Sequence, residues 1–357
     1  MDLHVTSLVD DLNELAVDVL GTGVRLRGPA RLMAEVRGLL TDLAPATRAD
    51  RQLELIEEPG GTFQLLDDGE LVRGGIASVV AVATIVWRLN AVAAATTRHL
   101  VVHAGCVAAE GGVLLPGTSG AGKSTLTAAC IAAGMAYLSD EYAALDLTHG
   151  TLTPYAKPLG LDGERLVAAS GLRAGSLGRP GPPSGIVFPR YTPGADATMT
   201  PLNAGWTFLA LAAHTTNLAA LGGAKALPWL AGLALDCPSW QVTYGDTAEG
   251  VGAVRDAARR PGSPVRPAVV LDPITATSTT VVMGDEAAVL DQRTGQVHLL
   301  NASAAFVWSC VPDASDAGHL VAVALDRASD SAPDPAMLDR TIEHLTRTGL
   351  LAGWGPP

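Results

Sequence analysis

The run Leu114–Leu126, "LLPGTSGAGKSTL", holds the residues best suited to chemistry. Gly117, Gly122, Lys123 and Ser124 match the G-x-x-x-x-G-K-[ST] pattern of a phosphate-binding loop. In such a loop the backbone of Gly117, Thr118, Ser119, Gly120, Ala121 and Gly122, with the first helical residues through Thr125, wraps a polyphosphate. Lys123 would neutralise β- and γ-phosphate oxygens, and the Ser124 hydroxyl would hold Mg²⁺. Glycine coincidences are cheap in a chain with 39 glycines, but lysine occurs only at 123, 157 and 225, so its place in the pattern is the discriminating feature. Downstream, Ser139-Asp140-Glu141 closes the short apolar run Ala136-Tyr137-Leu138. Acids at that strand end can hold Mg²⁺ or accept a hydroxyl proton, and the bland alternative is an exposed acidic turn. Upstream, His103 falls at the end of a strand expected beside the loop, where a lone histidine is as often structural as functional.

The elements that must position these residues read as strand, turn, strand, loop, helix, strand between His99 and Leu147. "HLVVHAGCVAA" and "GVLLPG" are the strands, Glu110-Gly111-Gly112 the turn, and "KSTLTAACIAAGM" the helix. "AYLSDEYAALDL" reads as two short strands or a strand and a bend. Before this core, "RLMAEVRGLLTDLA" at 31–44 is helical, "FQLLDDGELVRG" at 63–74 is a hairpin turning at Asp67-Asp68-Gly69, and a long Ala/Val helix ends near Thr97. Gly171–Gly185 is too rich in Gly and Pro for a regular element and is expected to be a surface loop, either a lid or a solvated insertion. Helix follows at 201–235. The prolines at 261, 264, 267 and 273 mark a linker. Beyond it, two or three short strands over 279–300, turning at Arg293-Thr294-Gly295, precede helices at 301–309, 315–328 and 334–348, the last stopped by Gly349.

At 357 residues, 48% apolar and 17% charged, the chain has material for two or three packed domains. The net charge of −12 disfavours nucleic acid as a partner. The four cysteines are scattered without CxxC spacing, which suits reduced thiols rather than a zinc site. The acidic start "MDLHVTSLVDDLNEL" lacks a secretory charge pattern. The apolar run Ile76–Ala95 is interrupted by Arg88 and Asn90 and reads as a buried helix rather than a membrane span. A cytoplasmic protein with no membrane partner is expected, and a homo-oligomer is left open.

The stretch "HAGCVAAEGGVLLPGTSGAGKSTLTAACIAAGMAYLSDEYAAL" resembles the catalytic core of the HPr serine kinase/phosphorylase family. The resemblance implies an α/β fold of the HPr kinase/phosphoenolpyruvate carboxykinase type, with an N-terminal α+β lobe. It implies ATP and Mg²⁺ as cofactors. It also carries roles over by position: Lys123 and the loop on the nucleotide, Ser124 and Asp140 on the metal, and His103, Asp140 and Glu141 on the acceptor proton. Thr125 stands where the regulatory enzymes have Glu, and "KPLGLDGE" at 157–164 stands in for a later family signature. The resemblance therefore points to a divergent branch, some of whose members modify peptides. The tail, "GDEAAVLDQRTGQVHLLNASAAFVWSCV" with its two following helices, is similar to PqqD-like winged-helix modules that bind the leader of a ribosomally made precursor peptide.

The domains expected are thus an N-terminal lobe at 1–97, a phosphate-loop core at 98–262, a linker at 263–274 and a winged-helix domain at 275–357 that folds by itself. A DNA-binding wing is disfavoured because 275–357 carries ten acids against four arginines. The expected activity is ATP-dependent phosphorylation of a Ser or Thr hydroxyl on a precursor peptide recruited by the tail. The alternatives are a small-molecule kinase with a structural tail and a non-catalytic, nucleotide-dependent adaptor that presents the peptide.

Overall fold

The computed structural model describes residues 13–118, 120–161, 165–272, 274–328 and 334–351. It begins with β1 (Glu14–Val19), β2 (Thr22–Arg27), α1 (Ala30–Leu39), β3 (Arg51–Glu57), β4 (Thr62–Asp67), β5 (Glu70–Ala77) and α2 (Ser78–Thr96). The five strands form one sheet in sequential order, antiparallel except for β2 beside β3. Asp68 and Gly69, both at positive φ, turn the β4–β5 hairpin as expected. Its last strand residue, Asp67, is buried and takes ion pairs from both Arg51 and Arg88. Arg88, the interruption in the apolar run, is therefore a core partner. Among the described residues α2 is the one helix long and apolar enough to cross a membrane. It packs Ile85, Leu89 and Val92 into the core of this lobe.

The second sheet has eight strands. Its elements follow as β6 (Leu100–Ala108), β7 (Gly112–Pro116), α3 (Lys123–Ala132), β8 (Ala136–Ser139), β9 (Tyr142–Asp146) and β10 (Thr151–Thr153). The hairpin β11 (Leu159–Leu161) and β12 (Arg165–Val167) and the single turn α4 (Ala169–Leu172) come next. Then follow β13 (Pro183–Tyr191), β14 (Thr198–Leu202), α5 (Ala204–His214), α6 (Gly223–Asp236), β15 (Ser239–Tyr244) and α7 (Thr247–Ala258). The strand order is β10-β9-β6-β7-β13-β15-β14, with β8 also on β6. β7, β13 and β15 run parallel, and the flanking pairs are antiparallel. Helix α3 lies close over β6 because Gly105 has no side chain: a Cβ there would come 2.5 Å from Thr127 Oγ1. The helix that begins at Lys123 is thereby seated against the strand that carries His103.

The Gly/Pro-rich segment after α4 is not a lid. Ser176 is fully buried and its carbonyl accepts from the Tyr137 amide at 2.6 Å, while the Gly178 amide donates back to Tyr137 at 2.8 Å. Gly181 exchanges two further hydrogen bonds with Leu152. Lacking regular structure, these residues still extend the edges of β8 and β10.

The chain closes with β16 (Ser278–Met283), β17 (Glu286–Asp291), β18 (Gln296–Leu300), α8 (Ala302–Cys310), α9 (Ala317–Arg327) and α10 (Pro335–Arg347). The strands form an antiparallel meander, and Asn301, Asp316 and Asp334 cap the three helices through their side chains. Gly349, at φ +84°, ends α10 where the sequence placed a cap. One face of the meander, with Ala287 and Val289, packs on Trp308, Leu320, Leu338, Ile342 and Leu345.

Two compact units emerge. The first comprises residues 1–202, 214–217 and 237–265, and the second 203–213, 218–236 and 266–357. The second thus takes in most of α5 and all of α6, which the sequence reading assigned to the phosphate-loop core. Val281, Met283, Ala288 and Leu290 project from the meander opposite the helical core just described, and they too are buried. There α5 and α6 cover them: a Cβ at Gly205 would strike Leu299, and one at Gly223 would strike Leu290. The second unit is a sheet between two helical layers, more than a self-contained tail. The proline-rich stretch is likewise no loose tether. The Val265 amide bonds Gly150 O within the first unit, and the amides of Leu271 and Val282 bond Thr280 O and Val269 O along β16 in the second. Pro273 lies outside the described residues.

Candidate functional site

The loop from Gly117 to Gly122 joins β7 to α3 as the spacing predicted, with Ser119 outside the described residues. Gly120 and Gly122 take φ of +81° and +82°, conformations that side-chain-bearing residues rarely adopt. At Gly122 a Cβ would also approach the Tyr244 hydroxyl to 3.4 Å. Gly117 has no such conformational demand. Gly122 is the N-cap of α3 and no side chain caps the helix, so its first N–H groups are open to an anion. Ser124 is half-buried and Thr125 exposed in the first turn.

Lys123 is 7% exposed, and its Nζ donates to Gly117 O at 2.7 Å and Thr118 O at 2.9 Å. Burial lowers its pKa, partly opposed by the negative charges of Glu141 and Asp140. The expected acids therefore do face the loop lysine. They are held there by backbone: Ala104 N donates to Glu141 O at 3.0 Å, and the register of β6 against β9 pairs His103 with Tyr142. The buried Ser139 hydroxyl accepts from the amides of Glu141 and Tyr142 and fixes the bend between β8 and β9.

The two acids have different surroundings. Asp140 is 3% exposed and accepts at Oδ1 from Lys157 Nζ (2.7 Å), with the Tyr137 hydroxyl 3.0 Å away. Its Oδ2 faces the Gly160 amide at 3.3 Å. Oδ1 is thus held in a buried ion pair and Oδ2 faces a backbone amide, so Asp140 is the more heavily partnered of the two acids expected to serve the metal or the acceptor proton. Glu141 is half-exposed, with Oε1 3.3 Å from His103 Nδ1 and Oε2 3.9 Å from Lys157. Burial alone would raise its pKa. The His103 hydrogen bond, with the charges of Lys157 and Lys123, outweighs burial and holds it below the usual glutamate value. Glu141 is thus the more accessible of the two acids, and these neighbours favour its ionised form.

No family model matches the chain, and no curated protein does.

Three contributors were missed in the sequence: Lys157, Tyr137 and His214. The scarcity of lysine was the available signal, since two of three lysines converge on one acid pair. Tyr137 was read as strand core, and its hydroxyl also reaches Lys157 O at 2.8 Å. His214 has a pKa lowered by burial and then by the charges of His103 and Lys123, which places all three in one electrostatic neighbourhood. A cavity of about 540 Å³ lies elsewhere, in the N-terminal sheet against Glu14, Arg27 and Glu57, and includes none of these residues.

Proposed function

We propose that the protein is an ATP-dependent kinase that phosphorylates a Ser or Thr hydroxyl of a peptide delivered by its second unit. The observation that carries this reading is the buried Lys123, at an uncapped helix start, facing an ionised Glu141 held by His103. The loop fits a nucleotide polyphosphate: it offers open N–H groups, two glycines in left-handed conformations and a buried cation. Lys123 and the loop hold the phosphates. Ser124 would hold Mg²⁺ together with phosphate oxygens, and when bound the ion supplies charge neutralisation. Glu141 takes the acceptor proton, and His103 orients it. Asp140 and Lys157, as a locked pair, keep the Ser139–Glu141 bend in place.

Peptide delivery draws on the resemblance of the tail to leader-binding modules and on one feature of the second unit. Residues 269–271 line the β16 side of the meander, whereas β18 has no strand partner beyond β17 among the described residues. An extended leader would add there as a strand.

The test is phosphopeptide formation from Mg·ATP and a leader-bearing acceptor peptide. Lys123→Ala should abolish the thermal shift that ATP gives the wild type. Glu141→Gln should keep that shift and slow transfer by about 10²-fold or more. Removing the leader should raise KM and leave kcat nearly unchanged, the signature of lost uniform binding. Wild-type turnover by Glu141→Gln would eliminate the base assignment. Equal thermal shifts in wild type and Lys123→Ala would eliminate the nucleotide site.

A further inference from the structure

Between the two helices α5 and α6 the chain re-enters the first unit for four residues, His214–Asn217. There it lies against β6. Thr215 bridges Val102 in antiparallel sense, and the Thr216 amide donates to Val101 O at 3.0 Å. Asn217 clamps the segment, accepting from the Val101 amide at 3.0 Å and donating to His99 O at 2.8 Å. β7 pairs with β6 only over Ala104–Ala108, so the tetrapeptide occupies the place beside β6 that β7 leaves as it turns into the phosphate loop. The Thr215–Val102 bridge brings His214, the last residue of α5 and the chain neighbour of Thr215, beside His103, the chain neighbour of Val102. His214 is half-buried, and the charges acting on it are His103 and Lys123.

We infer that His214 is a further catalytic residue of the proposed phosphoryl transfer, donating a ring N–H to a non-bridging oxygen of the phosphoryl group in transit. The inference rests on the nucleotide-site reading above. In that step the acceptor oxygen bonds the γ-phosphorus, the bond to the ADP oxygen breaks, and the acceptor proton passes to Glu141. Charge spreads over the equatorial oxygens as this happens, and a donor held beside β6 by the bridged segment that follows it needs little reorganisation to meet it. Burial first, then the charges of His103 and Lys123, lowers the imidazole pKa and favours the neutral ring, in which one nitrogen carries a hydrogen and the other does not. A structural histidine at this position would fix the segment without distinguishing ground state from transition state.

The experiment titrates full-length protein with Mg·ADP, alone and with aluminium fluoride, whose planar complex mimics the phosphoryl group in transit. Wild type should bind Mg·ADP more tightly when fluoroaluminate is present. His214→Ala should keep its Mg·ADP affinity within about twofold and lose about 10²-fold of the fluoroaluminate gain, as for one removed transition-state donor. If the alanine variant melts below the assay temperature, His214→Leu keeps the volume, removes the donor and reads the same gain. An undiminished gain in these variants, with Mg·ADP binding intact, overturns the role of His214 and leaves the nucleotide site standing. A wild-type protein that gains nothing from fluoroaluminate overturns the role as well. A wild-type protein that binds no Mg·ADP overturns the nucleotide site and this inference together.

Discussion

Asp140 and Glu141 show how far apart the surroundings of two neighbouring carboxylates can be. Asp140 is buried with its counter-charge, Lys157, and Glu141, one residue on, stays partly exposed beside His103. Removing one partner of such a pair strands a charge in low dielectric, at a cost of about 3–5 kcal/mol. Lys157→Met should therefore lower stability to chemical denaturant by about that amount, and Lys157→Met combined with Asp140→Leu should recover most of it. Additive losses in the double variant would show that the two side chains do not act as a pair. A pH effect belongs at this scale too. Burial lowers the pKa of His99, His214 and His298, so the folded chain binds fewer protons at these sites than the unfolded chain does. Stability is then full above the unfolded value of about 6.5 and falls as pH drops through it toward the lower folded values. Denaturant midpoints between pH 7.5 and 5 should decline, and His298→Gln should flatten part of that decline. A flat profile in the wild type would contradict the burial of these rings. In the sequence, Lys123 and the Asp140–Glu141 pair stood out by spacing, but not which of the two acids is the more exposed. The partner Lys157 was not legible, because it reaches Asp140 through tertiary pairing that local pattern does not encode, and Tyr137, three residues before Asp140, was read as strand core.

At the scale of elements, patterning read well wherever a segment is governed by its own chemistry. The Asp68-Gly69 turn, the capped α10 with its apolar Leu338, Ile342 and Leu345, and the strand–loop–helix around Lys123 all lie where the periodicity put them. It read poorly where irregular backbone is satisfied by distant partners. Ser176–Gly181 has the composition of a free loop, yet its carbonyls and amides are consumed by β8 and β10. The meander β16–β18 is the larger case. Alternation in "TTVVMG" and "AAVLDQ" announces strands without saying that both faces are covered. A fragment of residues 275–357 would expose Val281, Met283, Ala288 and Leu290 and lose the 269–271 strand along β16. It should be unstable or self-associate in size-exclusion chromatography. A chain joining 203–236 directly to 266–357 should be monomeric and unfold cooperatively, the Asp236 side chain lying 3.1 Å from the Arg266 amide at the splice. A stable, monomeric 275–357 would show that α5 and α6 are dispensable.

For the molecule as a whole, α/β character follows from composition and length, but the boundaries of the compact bodies do not. A linear reading cuts the chain after residue 97 and again near the prolines. The folded chain changes unit after Leu202, Ala213, Asn217, Asp236 and Val265. With 203–236 in the second unit and 237–265 back in the first, no single cut works, and the tetrapeptide His214–Asn217, tied to β6 by Asn217, adds two further changes. This threading bears on inheritance and on recombination. A module appended at a terminus can be exchanged between genes by one crossover, whereas here any single crossover between residues 203 and 265 leaves both bodies with foreign segments. Under the peptide reading proposed above, specificity for a new peptide would arise by drift within β18 and its surroundings, or by grafting the helical pair and the tail together around an unchanged tetrapeptide. Chimeras built on the second plan should fold where single-junction chimeras between divergent relatives fail.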